Sequence, residues 1–272
     1  MNSLGFDKKE SDTKVIVAMS GGVDSSVAAV KLKKEGYDVT GVTLRLYNQV
    51  NTSKSKSCCA GIDINDAKKV AKQYNFSHLV LDYQEKFYDG VISNFIDSYA
   101  NGETPVPCIQ CNQTVKFTDL LEESKKLNAD ALVTGHYAIR RGGLKGSKLF
   151  KAKDTSKDQS YFLFATLQDQ LDYVRFPLGE YLKTEIRQMA EEFKLTVSDK
   201  PDSQDICFVT SDSYRDLINK IQPDINIEGN IFDVNGNKIG THKGIANYTI
   251  GQRKGIGIGG QEKPLYVKEV NK

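Results

Sequence analysis

The sequence is short of the features that mark a membrane or secreted protein. Its 272 residues hold no apolar run near membrane-spanning length, and Met1 to Lys14 is polar with no signal-peptide core. The five cysteines form an odd set at uneven spacing. Without a secretion signal they read as reduced, catalytic or metal-binding thiols rather than as a disulfide framework. These absences point to a cytoplasmic protein with no membrane partner. Only three histidines occur, His78, His136 and His242, and their separations do not suit a structural zinc site. No internal repeat is visible. The formal net charge of +2 neither demands nor excludes nucleic acid. The Walker pattern Gly-x-x-x-x-Gly-Lys-Ser/Thr is also missing. What remains is a composition ordinary for a globular protein, 39% hydrophobic and 26% charged, in a chain long enough for one large domain or two unequal ones.

The most informative stretch is Ser20-Gly21-Gly22-Val23-Asp24-Ser25-Ser26. The apolar run Val15 to Met19 precedes it and reads as a buried strand. Val23, Val27 and Val30 follow at helical spacing. The glycines therefore fall on a strand-to-helix turn, where unpaired N–H groups and the positive end of the helix dipole meet. Gly21 and Gly22 allow close backbone approach, and Ser20, Ser25 and Ser26 add hydroxyls. Such a turn suits an anion, most naturally phosphate. A plain tight turn with a helix cap is the blander reading, since these are common turn residues. On ordinary residue frequencies, however, the pattern arises by chance less than about once in a thousand chains of this length.

Further along, Val39 to Leu46 and His78 to Leu81 read as strands, Asp63 as the cap of a helix, and Ala131 to Val133 as a fourth strand ending at Thr134-Gly135-His136-Tyr137. Strands alternating with helices predict an α/β fold with a parallel sheet, binding its ligand beyond the carboxyl ends of the strands. Lys148 to Lys153 reads as a short strand after a glycine hairpin, Asp158 to Tyr161 opens a helical stretch, and Leu182 to Phe193 is a helix. After Cys207 the texture turns glycine- and asparagine-rich, predicting a small β-rich unit, with Pro264 to Val270 as a last strand. The expected domains are 1–208 and 209–272. Gly255-Ile256-Gly257-Ile258-Gly259-Gly260 imitates a dinucleotide fingerprint, but the chain ends too soon for the helix that pattern needs.

Cys108 and Cys111 form a C-x-x-C pair beside Pro105 and Pro107, and Cys207 stands far away among Asp202, Gln204 and Asp205. Zinc would want a second pair, and a thioredoxin-like pair would lie nearer the first strand. Cys207 alone could be a small buried hydrophobe. Two separated thiols able to meet over one site suit thiol–disulfide or persulfide chemistry.

Together these residues resemble the tRNA-specific 2-thiouridylases, enzymes of the PP-loop ATP pyrophosphatase superfamily. The matching stretches are Met19 to Ser26, Cys111-Asn112 with Val115 to Phe117, Ala131 to Tyr137, Lys157 to Phe162, Arg175 to Gly179, Lys200 to Phe208 and Tyr248 to Arg253. They run in order from residue 15 to the chain end. The resemblance implies a Rossmann-like PP-loop domain, adenine nucleotide alpha hydrolase-like, followed by a small β-rich domain. It implies ATP at Ala18, Met19, Ser20, Gly21, Gly22, Val23, Asp24, Ser25, Leu44 and Gly135, with Asp24 orienting Mg²⁺ or the phosphates. Cys111 would be the nucleophile and Cys207 the persulfide carrier. Val106, Pro107, Cys108, Lys157, Asp158 and Gln159 would touch tRNA. The implied partners are tRNA and a sulfur donor, such as a cysteine desulfurase or a sulfur-relay protein. The implied reaction is thiolation of C2 of the wobble uridine. Its alternatives are another PP-loop pyrophosphatase or tRNA thiolase, or a tRNA-binding module without turnover.

Two departures stand out. Many members of that family carry aspartate where this chain has Cys108. Members with the C-x-x-C form resemble enzymes proposed to hold a [4Fe–4S] cluster on three cysteines, here Cys108, Cys111 and Cys207. The family also continues into a C-terminal β-barrel, whereas this chain stops at what reads as its first strand, so weak tRNA binding is the expectation.

Overall fold

The structure is a computed structural model and describes residues 1–47, 61–202, 206–209, 214–259 and 263–271. The predicted loop from Asn48 to Ser57, with Cys58 and Cys59, lies outside these residues, as do Ser203, Gln204 and Asp205.

Five parallel strands form the central sheet, in the order β3-β2-β1-β4-β7. They are β1 (Lys14–Ala18), β2 (Asp38–Arg45), β3 (Ser77–Asp82), β4 (Ala131–Val133) and β7 (Val174–Arg175). Val15, Ile16 and Val17 of β1 and all three residues of β4 are fully buried. Such unbroken apolar runs are what a parallel strand covered on both faces requires. Helix α1 (Val23–Lys34) crosses from β1 to β2, and α2 (Gly61–Gln73) precedes β3. Val27, Ala28, Ala29, Val30 and Leu32 bury α1 against the sheet, where Ile186 and Ala190 of the helix Lys183–Glu192 join the same core. Val15 pairs with Val39 on one side and with Ala131 on the other. From β1 the chain first builds outward through β2 and β3, then returns to add β4 and β7 on the opposite side. That reversal opens a crevice at the carboxyl ends of β1 and β4, the place where open α/β sheets bind ligands.

Two hairpins accompany this sheet: β5 (Ala138–Arg141) with β6 (Lys148–Lys151), and β8 (Gly229–Phe232) with β9 (Lys238–His242). The chain forms two compact units, one of residues 1–90 and 108–208 and the other of 91–107 and 209–272. The second is less purely β than its composition suggests, because it contains the helix Tyr214–Ile221. The expected last strand is not formed. Among the described residues, Val267 alone of this segment makes backbone hydrogen bonds, to Gly251 and Gln252, and a strand needs a row of them. The helical stretch expected at Asp158 is one 3₁₀ turn, Ser160–Leu163. Asp158 spends its carboxylate on the Ala152 N–H and on Ser160, which fixes a turn instead. Asp63 lies inside the first turn of α2 and ion-pairs with Lys200 rather than capping the helix.

His78 on β3 faces Thr43 Oγ1 with its Nε2 at 2.8 Å, while its buried Nδ1 has no hydrogen-bond partner among the described residues. Burial, aided by the charge of Lys68, lowers its pKa from 6.5 to about 4. The unfolded chain takes up this proton below about pH 6.5 and the folded chain does not, so stability is lost as pH falls from 6.5 toward 4. Urea unfolding midpoints are expected to drop between pH 7 and pH 5, and to drop less in His78→Gln. An equal drop in that variant would remove His78 as a source.

Candidate active site

The turn after β1 is held by its own hydroxyls. The Ser20 N–H donates to Ser25 Oγ at 3.1 Å, and Ser26 Oγ donates to the Gly22 carbonyl at 2.8 Å. Gly22 begins α1 with extended backbone and no side-chain cap. The first N–H groups of the helix therefore keep their hydrogen-bonding capacity for a ligand. Gly21 has φ +75°, and a Cβ there would lie 2.3 Å from the Asp63 carbonyl oxygen. Gly135, just past β4, packs on the same turn, with a Cβ position 2.9 Å from the Ser25 nitrogen. Only glycine fits either place. Ala18 ends β1, Met19 is buried with its N–H bonded to Val42, Val23 and Ser25 are buried at the start of α1, and Leu44 is buried near the end of β2. Ser20 is exposed. The cradle thus fits a phosphate-bearing ligand.

Asp24 sits in the first turn of α1 and is surrounded by partners that no local pattern announces. Lys183 Nζ lies 2.6 and 2.8 Å from its two oxygens, and the Tyr137 hydroxyl donates to Oδ1 at 2.8 Å. Burial and the neighbouring Asp24 raise the Tyr137 pKa, so this hydroxyl stays a donor. Lys183 also pairs with Asp202 at 3.0 Å, which in turn takes Lys157 and Arg187, each at 2.8 Å. Burial opposes ionisation of Asp202, but Lys157 and Lys183 overcome it and hold the carboxyl at about 2. Lys200 donates to the Gly21 carbonyl at 2.9 Å and to Asp63 and Asp66 at 2.6 and 2.8 Å, tying α2 to the turn. Burial works against the charge on Lys200, and the two carboxylates restore it and raise its pKa.

The turn connects to Cys111 through the core of the same unit. Tyr137 exchanges two hydrogen bonds with Gln159, donating its N–H to the side-chain Oε1 at 2.9 Å and accepting the Gln159 N–H on its carbonyl at 2.8 Å. Three residues on, the Phe162 carbonyl accepts from Asn112 Nδ2 at 3.1 Å, and Asn112 follows Cys111. Lys116 Nζ holds the other end of that amide at 3.0 Å. Cys111 is buried and Cys108 exposed, one helical turn apart in Pro107–Cys111, which runs directly into the π-helical stretch Asn112–Leu120. Pro107 is buried and Val106 exposed. Cys207 is half-buried, its carbonyl accepting from the Tyr47 hydroxyl at 2.7 Å, just past β2. Phe208 packs edge-on against Phe87.

Of the residues expected at tRNA, Lys157 is exposed while Asp158 and Gln159 serve the internal contacts above. Among the described residues no group of three or more His, Cys, Asp or Glu side chains gathers to hold a metal ion. Lys183 went unnoticed in the sequence because it is one lysine opening an ordinary helix. Tyr137 and Lys200 lie inside matched stretches, yet nothing local reveals what they touch.

Sheet order and the uncapped glycine turn define an α/β domain with a Rossmann-like parallel sheet. Residues 13–211 match a family model described as a tRNA methyl transferase HUP domain, and 215–272 match a tRNA methyl transferase PRC-barrel domain. A tRNA-specific 2-thiouridylase MnmA of Dinoroseobacter shibae is 54% identical over 273 aligned residues, covering 100% of this chain and 71% of the relative. Enzymes of the same name from Jannaschia and from Bradyrhizobium are also 54% identical, with 72% and 68% of their lengths covered. The chain belongs to the tRNA-specific 2-thiouridylase family. No described helix is long and apolar enough to cross a membrane.

Proposed function

We propose that the protein replaces the C2 oxygen of the tRNA wobble uridine with sulfur at the expense of ATP. A uridine carbonyl oxygen is a hopeless leaving group as it stands. Attack of that oxygen on the α-phosphate of ATP releases pyrophosphate and converts the oxygen into part of an adenylate. The amides and hydroxyls of Ser20 to Ser25 would hold the pyrophosphate end, where negative charge accumulates. Magnesium would arrive on the ATP phosphates.

The sulfur then comes from a persulfide on Cys207, loaded by a desulfurase or relay protein. Its terminal sulfur attacks C2, and AMP leaves with the former carbonyl oxygen. The Cys111 thiolate next attacks Cys207 Sγ, so that a Cys111–Cys207 disulfide forms and the thiocarbonyl is left on the base. An external dithiol reduces the disulfide and accepts its oxidation. Lys157, Val106, Pro107 and Cys108 would meet the tRNA.

The observation that carries this reading is the continuous path from the phosphate turn to Cys111, through Asp24, Tyr137, Gln159, Phe162 and Asn112. The test is an incubation with ATP, Mg²⁺, a persulfide source and unmodified tRNA, with and without air. The expected products are pyrophosphate, AMP and a nucleoside whose mass reports sulfur-for-oxygen exchange. Absence of AMP and of thiolated tRNA in both atmospheres would sink the reading and leave a binding module. Activity only without air, with iron bound at the three cysteines, would favour the cluster route.

A further inference from the structure

Lys183 is the first residue of its helix, yet its side chain is only 11% exposed. Its ammonium touches both oxygens of Asp24 and one of Asp202, and stands 5.5 Å from the centre of the Tyr137 ring. The two carboxylates differ in what they keep without it. Asp202 retains Lys157 and Arg187, whereas among the described residues the side-chain contacts to Asp24 then reduce to the neutral Tyr137 hydroxyl. Asp24 stands at the N-terminal turn of α1, where the pyrophosphate end of ATP is proposed to bind. An uncompensated carboxylate there would repel the polyanion that the helix end attracts. The Tyr137 hydroxyl alone cannot cancel that charge.

We propose that Lys183 is a positioning residue of the ATP turn, which neutralises and aims the Asp24 carboxylate and links it to Asp202. It acts through Asp24, not by touching the nucleotide. The proposal rests on the ATP reading of the turn. Asp202 precedes Cys207 by five residues, so the same ammonium stands between the turn and the segment that leads to the sulfur carrier.

The decisive experiment is a double-mutant cycle read as pyrophosphate release in the presence of tRNA. Lys183→Met is expected to lower kcat/KM for ATP about a hundredfold. The loss should appear mainly as a higher KM, because repulsion weakens ATP binding. In an Asp24→Asn background the same substitution should change kcat/KM by less than about threefold. Lys183→Arg keeps the charge and should recover most of the loss. A merely structural role would lower kcat through a smaller active fraction at unchanged KM, and losses that multiply in the double variant would mean direct contact with the nucleotide. Either result overturns the proposal. Should Lys183→Met not fold, as judged by thermal unfolding, Lys183→Gln and Tyr137→Phe carry the same cycle against Asp24→Asn. If the unmodified protein releases no pyrophosphate, the ATP reading itself fails, which is a different outcome from additivity.

Discussion

Cys111→Ser is expected to stop turnover and to trap the tRNA on the protein. In the proposed sequence, sulfur from the Cys207 persulfide attaches to C2 before Cys111 acts. Removing the Cys111 thiol leaves the base joined to Cys207 through a disulfide, with one AMP already released. Multiple-turnover thiolation should fall at least about a thousandfold, as for loss of other catalytic nucleophiles. A protein–tRNA adduct should appear on a non-reducing denaturing gel and vanish with dithiothreitol. Cys207→Ala should give neither thiolated product nor adduct, while pyrophosphate release in the first turnover persists. The reverse pattern, an adduct in the Cys207 variant and none in the Cys111 variant, would exchange the two roles. Unchanged thiolation by either variant would remove that thiol from the reaction. Cys111 is buried in a helix whose neighbours are fixed by Asn112, so serine, one atom different, should leave the fold intact.

The second large effect is expected at Gly21. Alanine there would place its Cβ 2.3 Å from the Asp63 carbonyl oxygen and force an L-residue to hold φ +75°. The backbone conformation alone costs about 1–2 kcal/mol. The contact is with backbone, not a flexible tip, so the turn or the first turn of α2 must move. Either movement disturbs the grip of Lys200, which bonds the Gly21 carbonyl and both Asp63 and Asp66. ATP-dependent pyrophosphate release should drop about a hundredfold or more, with a lower thermal midpoint. Gly5 provides the control. Its φ is +84°, and nothing lies within 4 Å of its Cβ position. Gly5→Ala should therefore lose some stability and keep activity. Equal activity losses at the two glycines would mean that strain, not the turn, sets the effect.

The sheet and the glycine turn after β1 were legible because local pattern is all they require. Val15 to Ala18 and Ala131 to Val133 are apolar because both faces of a parallel strand are covered, and Ser-Gly-Gly marks the turn by residue type. The ion network was hidden for the opposite reason. Lys183 and Asp24 lie 159 positions apart, and each alone resembles a solvated helix residue. Burial of their pairing is a property of the packed helix Lys183–Glu192 against α1. The helix Tyr214–Ile221 did carry a signal, Tyr214, Ile218 and Ile221 at helical spacing, which the glycine-rich run behind it overshadowed. The π-helical stretch at Asn112–Leu120 has no periodic signature of its own, since one extra residue per turn is set by packing.

The division of the chain into 1–90 with 108–208, and 91–107 with 209–272, bears on how the protein is made. A ribosome delivers 91–107 first and then the 101 residues of 108–208 before the remainder of that unit exists. At about 5–20 residues per second, the early piece waits roughly 5–20 seconds with its apolar side chains, Val91, Phe95, Ile96 and Tyr99 among them, lacking the later part of their own core. The larger unit can close around its sheet during that interval. The smaller one completes only once residues 209–272 have followed, and a nascent chain halted near residue 208 would present the orphaned segment 91–107 to chaperones.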